Sequence, residues 1–280
     1  MCLLAFLASG NTTDRGDHKG IVRRGVAWLS KQQGRDGAFP LGAAPLATLE
    51  HALATFALAE AGAMARDENE KVLAAAKRAF DHLLWLRHPD GGWPRQGREP
   101  FSDPMTTAWS IFTCQAAGKL LRKTWDRAPT LAWLGKATGA DGSLEMASAG
   151  KGQQARQVEQ AAATAAALFA RFFLGQDPRQ EKVMFAAANR IVDGLGDDDT
   201  SADPLFRCMA SHAAYQLGHN QLRPVLWARW ERVVLPAWAM EQQREGRQKG
   251  SWKPHGGWDT GRSRTLITAL NVMAQTSRFR

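Results

Sequence analysis

The chain has 280 residues, of which 44% are hydrophobic and 22% are charged, a balance typical of a globular protein rather than a disordered one. The formal net charge of +9 suits an anionic partner, but no basic block alternates with aromatic residues as in known nucleic-acid-binding motifs, so nucleic acid is not an expected partner. The three cysteines, Cys2, Cys114 and Cys208, are far apart in sequence, which argues for a reducing compartment and against a disulfide framework.

Hydrophobic periodicity predicts two kinds of helix along the chain. Helices that are Ala-rich and apolar all round belong inside a fold, whereas helices with a polar stripe belong outside. The predicted inner helices are 1–9, 46–64, 104–118, 156–174, 202–217 and 262–276. The predicted outer helices are 19–33, 70–87, 126–137, 178–194 and 222–244. No segment has the period-two alternation of a half-buried strand.

A turn signal recurs between these helices. Asp-Gly stands at 36–37, 90–91, 141–142 and 193–194, and Lys-Gly at 249–250, so the intervals are 51 to 56 residues. An aromatic ring follows three of the pairs, at Phe39, Trp93 and Trp252. Gly ends a helix, Asp tolerates the turn, and the ring packs across the loop. The period predicts a helical repeat within one domain, residues 1–280, with an inner ring of helices inside an outer ring.

The two predicted rings differ by one helix. There are six inner helices and five outer ones, so a closed ring of six pairs would need an outer helix before Met1. The first nine residues are apolar and lack the basic residues that begin a signal peptide. We therefore interpret them as a buried inner helix cut close at its start. Either the native chain begins earlier or the ring has one open place, and the apolar helix pattern already present at Met1 favours the earlier start.

Several segments resemble known repeat sequences. Segments 28–39 (WLSKQQGRDGAF), 83–94 (LLWLRHPDGGWP) and 241–252 (EQQREGRQKGSW) resemble the Gln-Trp repeats of squalene cyclases. Segments 50–64 (EHALATFALAEAGAM), 105–120 (MTTAWSIFTCQAAGKL) and 250–257 (GSWKPHGG) are more closely similar to bacterial prenyltransferase and squalene-oxidase repeat proteins. The resemblance covers nearly the whole chain and implies an all-α fold, an α/α toroid of the terpenoid-cyclase and protein-prenyltransferase superfamily. It implies much less about the reaction.

The resemblance gives meaning to one acidic segment, which runs from Gly196 to Thr200. Class II terpene cyclases use an Asp-x-Asp-Asp-Thr motif, whose central Asp protonates an alkene or an epoxide. Asp198 and Asp199 match the last two Asp of that motif, whereas Gly196 replaces the first. Clustered carboxylates raise one another's pKa and so can supply an acid. Asp198 and Asp199 are therefore the candidate catalytic residues, the alternative being that the segment caps the next helix.

Further candidates for ligand binding lie on the inner helices, whose N-terminal N–H groups favour anions. Glu50 and His51 together suit proton transfer, although neighbouring residues of a helix point about 100° apart. Asp103 precedes Pro104 and fits an N-cap. Glu159 lies in an Ala-rich helix, where a buried carboxylate needs a partner or a raised pKa.

Aromatic residues on the predicted inner helices either line a cavity or form ordinary core. In cyclase cavities such rings stabilise carbocations by a cation–π interaction, which is worth about 2 kcal/mol when desolvated. The residues are Trp109, Phe112, Phe169, Phe172, Phe206 and Tyr215. The basic stretch from Arg244 to Arg264 either holds a diphosphate or another anionic partner, or is a solvated loop.

Metal chemistry is not expected. The zinc site of protein prenyltransferases needs an Asp two residues before its Cys, and neither Cys114 nor Cys208 has one. The seven His residues show no HxxxH or HExxH spacing. We therefore expect no metal and no cofactor, and a zinc prenyltransferase is the less favoured kind of enzyme.

Three functions remain open on the sequence. The first is binding of an isoprenoid or other apolar ligand in a central cavity, with acid-initiated cyclase activity. The second is a non-catalytic toroid that binds a protein, a peptide or a glycan. The third is a carbohydrate enzyme that uses Glu50, Asp103 and Glu159 as paired carboxylates. A cytoplasmic location is expected, and peripheral membrane contact would suit a basic protein with an apolar ligand.

Overall fold

The structure is a computed structural model that describes residues 1–40, 46–65, 69–97, 99–145, 153–196, 201–220, 222–254 and 264–277. Within these ranges the chain is helical, and its only β-type pairing is an isolated bridge between Thr138 and Leu144. The predicted all-α fold is therefore confirmed. The chain divides into two compact units, residues 3–137 and residues 138–280. The closed toroid and the single domain stay predictions.

The first unit is built around α3. Its helices are α1 (Cys2–Ala8), α2 (Lys19–Gln32), α3 (Ala47–Met64), α4 (Asn69–Trp85), α5 (Pro104–Leu121) and α6 (Ala128–Ala137). Helix α3 packs against α2, α4 and α5. Both α3 and α5 are buried along most of their length, whereas α2 buries only Val22 and Val26. In this unit the apolar α3 and α5 thus lie inside and the amphipathic α2 lies outside, as the sequence predicts.

The second unit is built around α9. Its helices are α7 (Gln153–Phe173), α8 (Lys182–Gly194), α9 (Pro204–His219), α10 (Pro224–Arg229), a π-helical turn (Trp230–Val234), α11 (Leu235–Met240), a 3-10 turn (Gly246–Gln248) and α12 (Arg264–Gln275). Helix α9 packs against α7, α8, α10 and α12. Its buried residues include small side chains such as Ala210, Ala213 and Ala214, which allow close helix packing.

The observed helices begin and end within a few residues of their predicted bounds. The largest differences are in two outer helices: the one predicted at 178–194 begins at Lys182, and the one predicted at 222–244 ends at Met240 and contains the π-helical turn. Pro236 follows that turn and has no N–H to bond to the carbonyl four residues earlier, which explains a local change of helix type. No described helix is both long enough and apolar enough to cross a membrane.

The Asp-Gly turn has the same hydrogen bonds in three repeats. The Asp carboxylate accepts from the N–H two residues later, with distances of 3.1 Å for Asp36, 2.9 Å for Asp90 and 3.0 Å for Asp141. The Gly N–H donates to the carbonyl three residues earlier, and its φ is positive, at 87° for Gly37, 103° for Gly91 and 78° for Gly142. The structure therefore contains the helical repeat that the sequence predicts. The fourth pair differs, because Gly194 is the last residue of α8.

Each of these three glycines lies against the backbone of the next outer helix. A Cβ atom would be 2.2 Å from the Arg78 carbonyl oxygen at Gly37, 2.1 Å from the Pro129 carbonyl oxygen at Gly91, and 2.2 Å from the Ala187 nitrogen at Gly142. Contacts this short with backbone exclude any side chain. The turn therefore fixes each repeat directly on the following helix.

Candidate functional sites

One position on the inner helices links the turn to the helix. The hydroxyl of a Thr accepts from the backbone N–H two residues after the turn glycine, as between Trp93 N and Thr107 Oγ1 (2.8 Å). The same bond joins Leu144 N to Thr164 (3.0 Å) and Trp252 N to Thr268 (3.3 Å). These threonines are buried or half-buried, so the bond satisfies a backbone donor that lies away from water.

Two repeats carry a different residue at this position. Thr107 and Thr164 each stand eleven residues before a glycine, Gly118 and Gly175. His51 and Arg207 stand eleven residues before Gly62 and Gly218 and therefore occupy the same register. In the other repeats a hydroxyl at this position is enough to bind the turn. The imidazole of His51 and the guanidinium of Arg207 are therefore candidates for a further chemical role.

His51 is buried in the first unit and is held by a backbone carbonyl. Its Nε2–H donates to the Ala79 carbonyl oxygen at 2.9 Å, and its ring lies 5.2 Å from Phe39 and 5.0 Å from His82. Burial lowers the pKa of His51 to about 4. The imidazole is therefore neutral at pH 7, with Nδ1 as its remaining acceptor.

Glu50 is next to His51 in the sequence, but the two side chains have different surroundings. Its side chain is exposed, whereas that of His51 is buried. Partial desolvation raises the pKa of Glu50. The structure therefore places the two groups on different faces of α3, which agrees with the expected angle between helical neighbours.

Asp103 joins the starts of α3 and α5 through Arg95. Its Oδ1 accepts from the Thr106 N–H (2.8 Å) and hydroxyl (2.7 Å), so Asp103 is the predicted N-cap. Its Oδ2 accepts from Arg95 Nε at 2.7 Å, and the Arg95 carbonyl in turn accepts from Thr48 N at 3.0 Å. Asp103 thus holds the two inner-helix starts of the first unit together.

Trp109 has a buried donor without an acceptor. The residue is only 2% exposed, and Nε1 has no hydrogen-bond partner. Its ring lies 6.1 Å from Phe112, which makes an edge-to-face contact of 4.8 Å with Phe56 on α3. The next side chain, Ser110, also has a buried unpartnered oxygen. Buried donors are nearly always satisfied, so this part of α5 is unusual.

The remaining candidates of the second unit, Tyr215, Glu159 and Phe169, differ in burial and in the rings that they contact. Tyr215 is half-buried and stacks on His219 at 5.5 Å, with an edge-to-face contact to Trp227 of α10 at 5.1 Å. Its ring therefore joins α9 to α10. Glu159 on α7 is half-buried, not fully buried. Phe169 packs against His212 at 5.1 Å.

The candidate catalytic pair lies outside the described residues. Asp198 and Asp199 fall between Gly196, just after α8, and Ser201, just before α9. Their role as an acid stays a prediction from the resemblance.

Arg207 forms a site that sequence reasoning missed. Its guanidinium donates to both carboxylate oxygens of Glu241 (2.6 and 2.9 Å), to the Ser201 carbonyl (2.7 Å) and to Asn271 (3.3 Å). It also lies over the Trp238 ring at 5.0 Å. The Arg207 side chain is 5% exposed and that of Glu241 is 41% exposed. A signal was present in the sequence, since Arg207 is the only Lys or Arg in an inner helix rich in small side chains.

A small pocket opens beside this ion pair. It is lined by Ala202, Pro204, Arg207, Glu241, Trp252, Lys253, Ile267 and Asn271. Its volume is about 10 Å³, room for roughly one water molecule, and it is partly open to solvent. In the described part of the chain, no group of three His, Cys, Asp or Glu residues is placed to hold a metal ion.

Comparison with known protein families found no match to this chain, and a search of curated proteins found none either.

Proposed function

We propose that the protein binds an isoprenoid or a similar apolar ligand that carries an oxygen atom, against α3 and α5. The observation that supports this most directly is the buried, unpartnered Nε1–H of Trp109 beside the Phe56 and Phe112 rings. Aromatic and apolar walls with a few polar groups are typical of small-molecule sites.

The chemistry of the ligand follows from these groups. Leaving a buried N–H without an acceptor costs about 1–3 kcal/mol, and a ligand oxygen within hydrogen-bond distance removes that cost. Alcohol, carbonyl and epoxide oxygens are neutral acceptors, so they suit a site whose neighbours are rings. A pure hydrocarbon such as squalene would use the rings alone.

Binding and catalysis are separate parts of the proposal. Acid-initiated cyclisation is proposed only from the resemblance of Asp198 and Asp199 to the cyclase motif. An apolar ligand resides mainly in membranes, so peripheral membrane contact is a further part of the proposal.

Ligand binding is tested by calorimetry in detergent with farnesol, geranylgeraniol and squalene. The variant Trp109→Phe keeps a ring and removes the N–H. It should weaken binding of the two alcohols about fivefold, the effect of one neutral hydrogen bond, and leave squalene binding unchanged. Trp125→Phe is the matched control, because Trp125 also has an unpartnered Nε1 but packs against Trp93 instead. Equal alcohol affinities in the wild type and Trp109→Phe would overturn the site.

Catalysis is tested by mass spectrometry of organic extracts after incubation with squalene, farnesyl diphosphate and geranylgeranyl diphosphate. A cyclised product that disappears in Asp198→Asn would support the cyclase. Ligand binding without any product would contradict the cyclase and support a binding protein.

A further inference from the structure

One face of α2 carries an exposed indole in a row of cations. Ile21, Arg24, Trp28 and Lys31 follow at intervals of three, four and three residues, so they lie on one side of the helix. All four are exposed, with 43% of Ile21 and 59% of Trp28 accessible. Val22 and Val26 are buried on the opposite side. We call this outward face of α2, together with the exposed Arg35 that follows the helix, the α2 face.

The charge of the α2 face is strongly positive. Helix α2 contains no acidic residue, and of its four cations Arg24 and Lys31 lie on this face, whereas Lys19 and Arg23 lie on the other side. Within the described ranges, neither Arg24 nor Lys31 takes part in an ion pair. The nearest acidic residues in sequence, Asp17 and Asp36, lie beyond the two ends of the helix.

We propose that the α2 face binds the surface of a membrane that contains anionic lipid. Long cationic side chains reach lipid phosphates, and an indole is the side chain that best suits the headgroup level, where one end is apolar and the other wet. Cations beside an indole on one exposed helix face suit an anionic lipid surface, because the lipid charge attracts Lys and Arg and the indole favours the interface. This inference deepens the proposed contact with a membrane and rests on it, but it does not need the Trp109 site.

The test uses the full chain and vesicles without any isoprenoid. Sedimentation is measured with vesicles of phosphatidylcholine alone and of phosphatidylcholine with phosphatidylglycerol at 3:1. Binding should require the anionic lipid and should fall between 50 and 500 mM salt, roughly the range over which screening becomes complete. Arg24→Gln and Lys31→Gln should each weaken partitioning about fivefold, and Trp28→Gln should weaken it at both salt concentrations.

Matched controls come from the same unit. Phe101→Ser removes an aromatic ring that is 74% exposed, and Lys119→Gln removes an exposed cation, but neither residue is on α2. Both controls should bind vesicles as the wild type does. Equal binding to neutral vesicles, an unchanged Trp28→Gln variant, or a complex with an acidic protein in place of vesicle binding would each overturn the lipid surface. Since the isoprenoid assay is done in detergent, either proposal can fail without the other.

Discussion

Gly37 lies so close to α4 that a Cβ atom would be 2.2 Å from the carbonyl oxygen of Arg78. Two further contacts reinforce this junction: Gln33 Nε2 donates to the Ala75 carbonyl at 2.9 Å, and Arg78 donates to Gln33 Oε1 at 2.8 Å. The Gln that precedes the turn and the Gly within it thus both bind the same outer helix. The repeated sequence signal is therefore a docking element between successive repeats.

Replacing Gly37 by Ala should destabilise the protein by much more than the strain of a positive φ alone, because the new Cβ atom would also clash with the backbone of α4. Gly10 has nearly the same φ, 81° against 87°, but a Cβ there meets no atom within 4 Å. Gly10→Ala should lower the free energy of unfolding by about 1–2 kcal/mol, the effect of the positive φ alone. Gly37→Ala should lower it by at least about 2 kcal/mol more, because the backbone of α4 at Arg78 must move. Urea unfolding of both variants measures the difference, and equal losses would contradict the docking contact.

The buried imidazole of His51 should make stability depend on pH. Its pKa is lowered to about 4 in the folded protein, from an ordinary value near 6.5. Between these values the unfolded chain binds a proton that the folded chain does not. The free energy of unfolding should therefore be fully retained above pH 6.5 and fall as the pH decreases towards 4, by at most about 3 kcal/mol.

The variant His51→Gln separates this effect from that of the carboxylates. Gln can donate to the Ala79 carbonyl but does not titrate, so its free energy of unfolding should change less between pH 6.5 and 4. The measurement is urea unfolding at several pH values in this range. Parallel pH profiles for the two proteins would show that His51 is not the group responsible.

Two tryptophans that differ in one hydrogen bond should respond differently to the same change. Trp93 Nε1 donates to the Leu83 carbonyl at 2.8 Å, whereas Trp109 Nε1 has no partner. Both residues are buried, so Trp→Phe removes similar apolar contact from each. Without ligand, Trp93→Phe should cost about 1 kcal/mol more than Trp109→Phe in thermal or urea unfolding. A larger loss at Trp109 would mean that its N–H is already satisfied.

The helices were predictable because each signal is local. Ala-rich segments such as α3 and amphipathic ones such as α2 differ in composition, and the Asp-Gly turns end helices through backbone conformations that few residues adopt. The fourth pair shows the limit of this reasoning. Asp193-Gly194 has the same letters, yet Gly194 ends α8 without a positive φ, because tertiary context overrides a local signal.

The sites were less predictable because they depend on contacts between distant residues. Glu50 and His51 look like a pair in sequence, but the helix turns them apart. Arg207 and Glu241 are 34 residues apart and form the most extensive charged contact of the second unit's described part. Two signals mark Arg207 beforehand: it is the only Lys or Arg of its inner helix, and its register with Thr107 and Thr164 puts a charge where the repeat uses a hydroxyl.

The ion pair of Arg207 and Glu241 should show strong energetic coupling. Arg207 is 5% exposed, so loss of the carboxylate leaves a buried charge poorly compensated, whereas Glu241, at 41% exposure, can be solvated when Arg207 is removed. Glu241→Gln should lower the free energy of unfolding by about 2 kcal/mol in the wild type, but by less than about 0.5 kcal/mol in an Arg207→Met background.

Glu245→Gln, in the same loop and exposed, is the control and should change the free energy of unfolding by less than about 0.5 kcal/mol. A double-mutant cycle in urea measures the coupling. If Glu241→Gln costs the same in both backgrounds, then the bidentate contact adds nothing to stability, and Arg207 is held by Ser201, Asn271 and the Trp238 ring alone.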